Sequence, residues 1–183
     1  MRVSTGRSEL ELNVWGEGDP ALTIHGVFTP YAFDAMSLEP LLCDQFRRIA
    51  YHRHNYGLSS HGDHAHSVKD EAEDALEVLQ QVGGRRGHIV AHSGGAPKAL
   101  QLALDHPDAV LSLTLIEPVL PTPEFREFHG RISGDVAEAY ASGDRDRAAR
   151  IFISADFGRD DVREQLDPVM PPDWWDHCVT DIG

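Results

Sequence analysis

The chain has 183 residues, enough for one domain or slightly more, with an apolar share of 41% that is ordinary for a protein with a buried core. Its 30 acidic against 16 basic residues leave a net charge of -14, which argues against nucleic-acid partners, whose affinity rests on phosphates neutralised by Lys and Arg. No run of about 18 apolar residues occurs, the polar start Met1 to Glu11 lacks a secretory stretch, and Cys43 and Cys178 make no CxxC pair, so the expectation is no membrane association, no export and a reduced cytoplasmic setting.

Polar and apolar residues alternate from Leu10 to Trp15, and Gly16 to Pro20 reads as a hairpin turn into a buried run, Ala21 to Ile24, so these two strands are expected to pair. After His25-Gly26-Val27-Phe28-Thr29-Pro30, the segment Ala32 to Cys43 has mixed helical spacing and Phe46 to Tyr51 reads as a strand. From Ser67 to Val82 the apolar positions Val68, Ala72, Ala75, Leu76, Val78 and Leu79 recur near a 3.6 period, the clearest helix in the chain. A strand over His88 to Ala91, a helix over Ala96 to Leu104 and a strand over Leu111 to Ile116 follow. Alternating strands and helices predict an α/β fold with a mostly parallel sheet. Beyond Glu117-Pro118 the pattern changes: prolines at 118, 121 and 123 break the chain, and short helical patterns interrupted by Gly134 and Gly143 replace strands. Residues 1–120 and 121–183 are therefore expected to be two parts, the second helical.

Ser93 is the best clue to chemistry. It sits in Ala91-His92-Ser93-Gly94-Gly95 between a strand and a helix, the context of a nucleophile elbow. At such a turn the positions two before and two after the nucleophile crowd together, and Ala91 and Gly95 are small enough. The Gly94 amide opens the helix and can face a developing oxyanion, and an amide after His25-Gly26, from Val27 or alternatively Phe28, can supply a second donor. The competing structural reading makes Ser93 a helix N-cap and Gly26 a loop glycine.

These residues resemble the α/β-hydrolase superfamily, and the likeness runs in order along most of the chain. His25-Gly26 resembles its oxyanion loop, Tyr51 to Ser59 (YHRHNYGLS) its loop after the fourth strand, Ala91 to Gly95 its elbow, Leu113 to Pro118 (LTLIEP) the strand that follows, and 121–183 the start of a helical cap. Ala91 replaces the more usual glycine, His52 stands where aspartate is common, and Asn55 replaces a glycine and is expected to take a left-handed conformation. The resemblance implies a serine hydrolase that cleaves an ester, amide or related bond of a small molecule with no diffusible cofactor; peroxidases, lyases and thioesterases share such elbows. It also implies a catalytic histidine and an aspartate beyond the cap. The chain is accordingly expected to be a truncated and impaired hydrolase lacking its last strands, with Glu117 the available carboxylate and with self-association through an exposed sheet edge. A remnant that keeps the fold without turnover is the alternative.

Nothing in the spacing of His25, His92, His129 or His177 selects a substitute base; His25 reads as loop structure, and the turn directs the His92 side chain away from Ser93. The crowded His52, His54, His61, His64 and His66 read as a solvated loop and not as a metal site, since no carboxylate or thiolate completes a recognisable spacing. Trp174, Trp175, Phe125, Phe128, Phe152 and Phe157 read as helix packing, with a substrate wall as the alternative.

Overall fold

The computed structural model describes residues 1–28, 30, 31, 33, 36, 39–62, 66–168, 170 and 172–180. It divides into two compact units, Met1–Val119 and Leu120–Gly183. Among its described residues the first holds six strands: β1 (Arg2–Ser4), β2 (Glu9–Trp15), β3 (Asp19–Ile24), β4 (Phe46–Tyr51), β5 (Gly87–His92) and β6 (Val110–Ile116). They form one sheet in the order β1-β2-β4-β3-β5-β6. The β1–β2 and β2–β4 pairs are antiparallel, and the pairs joining β4, β3, β5 and β6 are parallel. This is the mostly parallel α/β sheet that the pattern predicts.

Burial explains the order. Four consecutive residues of β3, Ala21 to Ile24, are buried, so both faces are covered and the strand takes a central place. The expected β2–β3 hairpin is not formed: β4 lies between the two strands. The glycine-rich turn straddles the start of β4 instead of folding back on itself. A Cβ on Gly16 (φ +72°) would stand 2.6 Å from the carbonyl oxygens of Cys43 and Phe46, and one on Gly18 (φ +115°) 2.3 Å from that of Gln45. The turn thus presses bare backbone against the entry to β4, a place open only to residues without side chains.

The α-helices of this unit among the described residues are α1 (Pro40–Cys43), α2 (Val68–Val78), extended by a π-helical turn over Leu79–Gly83, and α3 (Ala96–Asp105). Of the helix expected over Ala32 to Cys43, positions 32, 34, 35, 37 and 38 lie outside the described residues. A capping box starts α2: the Ser67 hydroxyl accepts from the Asp70 amide at 3.1 Å, and the Asp70 carboxylate accepts from the Ser67 amide at 3.2 Å. Ala72, Ala75, Leu76 and Val78 on α2 and Ala99 and Leu102 on α3 join Leu22, Ile24, Ile49 and Ile89 in one core. Each large apolar side chain withdrawn fully from water there stabilises the unit by about 1.5–3 kcal/mol.

The second unit is helical: α4 (Pro123–Ala141), α5 (Arg145–Phe157), α6 (Val162–Leu166) and α7 (Trp174–Thr180). Gly134 does not break α4, contrary to expectation. A mid-helix glycine costs only about 1 kcal/mol relative to alanine, and α4 starts with a Thr122 cap that accepts from the Phe125 amide and with Pro123 at its first position. Gly143 (φ +81°) does fall between helices, just before Asp144, which caps α5. Trp174 and Trp175 are buried in edge contact, and Trp175 donates from Nε1 to Asp146 at 2.7 Å while Arg150 and Arg163 lie over its ring. The tryptophan pair therefore packs helices. No helix among the described residues is long and apolar enough to cross a membrane.

Candidate active site

Ser93 follows the last residue of β5 with φ +48°, opens a tight 3-10 turn over Ser93–Gly95, and is half-buried. A serine gains nothing locally from left-handed backbone, so the conformation is imposed by the strand before it and the helix after it. Ala91, two residues earlier, is fully buried without conflict. Gly95, two residues later, lies against the end of β3: a Cβ there would meet the carbonyl oxygen of Ile24 at 2.4 Å and that of His25 at 2.7 Å. The crowding argued from sequence is thus a contact between backbones.

The same contact brings the His25-Gly26 loop to the turn. A Cβ on Gly94 would touch Val27 Cγ2 at 3.0 Å and lie 3.7 Å from the Val27 nitrogen. No described backbone carbonyl accepts from the Val27 amide. On the far side of the turn the Ser93 carbonyl accepts from the amides of Ala96 and, at 3.3 Å, Val119, which fixes the plane of the Ser93–Gly94 peptide. Phe28, the alternative donor, has φ +59°.

His25 is a structural element of this loop. Its Nε2 accepts from the Arg53 amide at 3.0 Å, so the neutral ring carries its proton on Nδ1, which donates to the Gly26 carbonyl at 2.8 Å. Burial, reinforced by the Arg53 charge, holds its pKa well below the ordinary histidine value. With both nitrogens engaged, His25 has no acceptor left to take a proton from Ser93.

His92 and Glu117 come together at the ends of β5 and β6, with Nε2 3.8 Å from Oε2. Glu117 adopts φ +46° and its side chain is 86% exposed, so it stands in solvent and not in the packed interior. The other histidines of the first unit are spread out. His52 pairs with Glu11 at 3.0 Å, across to β2; His54 meets Ser8 at 3.1 Å and stacks on His66 at 4.0 Å; His61 meets the Gly57 carbonyl. His64 lies outside the described residues, as does the side chain of His177. Among the described residues no three His, Cys, Asp or Glu side chains converge as a metal site would require. Asn55 takes φ +68° and its side chain accepts from the Gly62 amide at 2.9 Å.

Three polar residues near the turn escape a reading of the sequence. Arg53, just past β4, is 4% exposed and donates from Nη1 to Glu71 at 2.5 Å and from Nη2 to the Gly26 carbonyl at 3.1 Å. Lys98 on α3 donates to the Gly94 carbonyl at 2.9 Å and stands 3.7 Å from Glu71 on α2. Burial lowers the Lys98 pKa, with the Arg53 charge acting in the same direction and Glu71 against it. These contacts join distant segments, so no local pattern announces them.

The four described non-glycine residues with left-handed backbone, Phe28, Asn55, Ser93 and Glu117, each follow one of the parallel strands β3, β4, β5 and β6. Strained backbone collects at functional sites, and open α/β sheets bind ligands beyond the carboxyl ends of their strands.

Comparison with known proteins agrees with this architecture. Residues 14–181 match the family described as alpha/beta hydrolase fold. The chain is 33% identical over 125 residues to fluoroacetate dehalogenase from Burkholderia sp, covering 66% of this chain and 40% of that protein. It is 35% identical over 101 residues to the protein named "Putative carbamate hydrolase RutD" of Variovorax paradoxus (strain S110), covering 55% of this chain and 38% of that protein. It thus spans about two fifths of the length of these relatives. The crystal structure of an alpha/beta hydrolase from Sphaerobacter thermophilus DSM 20745 superposes with a TM-score of 0.73 at 21% identity over 98% of this chain and 68% of that one, a likeness of fold. The chain belongs to the α/β-hydrolase fold family.

Proposed function

We propose that Ser93 is the nucleophile of a serine hydrolase site acting on an ester, amide or related bond of a small molecule, with the amides of Val27 and Gly94 as oxyanion donors. The observation that carries this reading is the φ of +48° at Ser93 in a strand-to-helix turn whose backbone touches the loop before Val27. The Ser93 hydroxyl oxygen bonds to the substrate carbonyl carbon and gives up its proton to a general base. The carbonyl oxygen gains the negative charge between the two amides, the leaving group departs with a proton, and water then releases the acyl group from Ser93. Glu117 serves as the carboxylate that orients the base. Gly26, Ala91 and Gly95 supply the close approach, His25 the loop geometry and His92 the end of the strand. No diffusible cofactor takes part.

The base itself belongs, in this reading, to sequence that the longer relatives carry and these residues do not span, so the chain alone is impaired. The engagement of His25 supports this. The helical second unit, following directly on β6, reads as a cap-type insertion. The edge of β6, last in the strand order of the described sheet and with Leu111 and Ile116 exposed, offers a surface for self-association. A cytoplasmic location completes the reading, supported by the two widely spaced cysteines of the sequence.

A short activated ester tests it. The chain alone should acylate slowly and stoichiometrically with little steady turnover, and Ser93→Ala should abolish acylation. Fast steady turnover would place the base within these residues. Folded protein that never acylates would leave the alternative, a binding remnant without turnover.

A further inference from the structure

We propose that Arg53 is a positioning residue for the Val27 donor, acting through the carbonyl at the other end of the same peptide bond, an inference that rests on the reading of Ser93 above. The Gly26–Val27 peptide is trans and planar. A hydrogen bond that fixes the direction of its C=O therefore fixes the opposite direction of its N–H. The Gly26 oxygen receives two such bonds, from His25 Nδ1 and from Arg53 Nη2. Residue 53 makes both possible, because its own amide donates to His25 Nε2 and so leaves the imidazole proton on Nδ1.

The guanidinium is itself held. Its Nη1 bonds to Glu71, its Cζ lies over the Tyr56 ring, 4.5 Å from the centroid, and Glu71 also pairs with Lys98, which grips the Gly94 carbonyl. One carboxylate on α2 thus ties together two cations. One cation orients the peptide that carries the Val27 amide; the other holds the first turn after Ser93. Packing alone does not account for this. Buried ion pairs are weak contributors to stability, and Arg53 Nε is buried without a hydrogen-bond partner among the described residues. An apolar side chain of similar length would fill the space without that cost. What the guanidinium adds is direction: a planar fork with one arm on a carboxylate and the other on the Gly26 oxygen.

The test uses Arg53→Met, which keeps the bulk, and Arg53→Lys, which keeps the charge and a partner in Glu71 but lacks the fork. In both, the Gly26 carbonyl carbon and Val27 amide nitrogen resonances should move upfield as the carbonyl loses a donor, while the Gly94 amide stays in place. Acylation of Ser93 by the activated ester should slow by about 10- to 100-fold, part of the loss expected when one oxyanion donor is removed. In the wild-type protein, a coupling across the hydrogen bond between the Arg53 guanidinium nitrogen and the Gly26 carbonyl carbon should be measurable. Folded variants with unchanged Gly26 and Val27 resonances, or a wild type without that coupling, overturn the proposal. A wild type that does not acylate overturns the reading of Ser93 instead, while the resonances still decide the role of Arg53.

Discussion

Gly95→Ala isolates the backbone contact on which the turn depends. The φ of Gly95 is -73°, a value alanine adopts freely, so conformational strain does not enter. The added methyl would meet three backbone atoms inside 3.0 Å: the Ile24 oxygen at 2.4 Å, the His25 oxygen at 2.7 Å and the Ile24 carbonyl carbon at 2.9 Å. None belongs to a side chain that can rotate away, so β3 and the turn after β5 must separate. Overpacking of this kind costs about 1–3 kcal/mol, and a clash with fixed backbone belongs at the upper end. For a chain of this length that lowers the midpoint of thermal unfolding by about 5–10 °C. The same separation moves the Gly94 amide away from Val27. Gly94→Ala is the control, since its methyl would press on Val27 Cγ2 at 3.0 Å, a side chain that can yield; its stability should stay within about 1 kcal/mol of wild type. Differential scanning fluorimetry, with circular dichroism to confirm folding, reads both. A Gly95→Ala protein as stable as the Gly94→Ala protein refutes the reasoning.

Ser93→Gly should stabilise the protein by about 1 kcal/mol relative to Ser93→Ala, because only glycine relieves a left-handed φ; equal midpoints in urea would show that the turn is unstrained. Stability should also fall with acidification below about pH 6.5. Burial holds His25 below its unfolded value, so the unfolded state binds the extra proton, and stability declines by up to about 1.4 kcal/mol per pH unit until the folded pKa is reached. His54, also lowered by burial and by His66, acts in the same direction, so His25→Gln should flatten the profile without abolishing it; an unchanged slope contradicts the assignment. Thr114→Lys, on β6 at the end of the described strand order, should suppress concentration-dependent association in sedimentation velocity, whereas association unaffected by that charge would place the contact elsewhere.

The turn around Ser93 was legible because its determinants are local: a strand, a serine between small residues, and a helix in unbroken succession. The sheet was legible as a class for the same reason, each strand announcing itself by its own pattern. Strand order was not. The Gly16 to Pro20 turn reads as a hairpin because nothing in its own residues reveals the carbonyls of Cys43, Gln45 and Phe46 against which its glycines lie. Gly134 misled in the opposite direction, since one weak residue is outvoted by the helix around it. Arg53, Glu71 and Lys98 are unremarkable singly, and their meaning comes from three elements meeting at the end of the sheet.

The most direct measurement is covalent. Folded protein incubated with a fluorophosphonate probe and digested for mass spectrometry should carry the phosphonyl group on Ser93 and on no other serine, and Ser93→Ala should carry none. A phosphonyl group spread among exposed serines, or an unmodified Ser93 in protein shown to be folded, contradicts the assignment of a nucleophile to this turn.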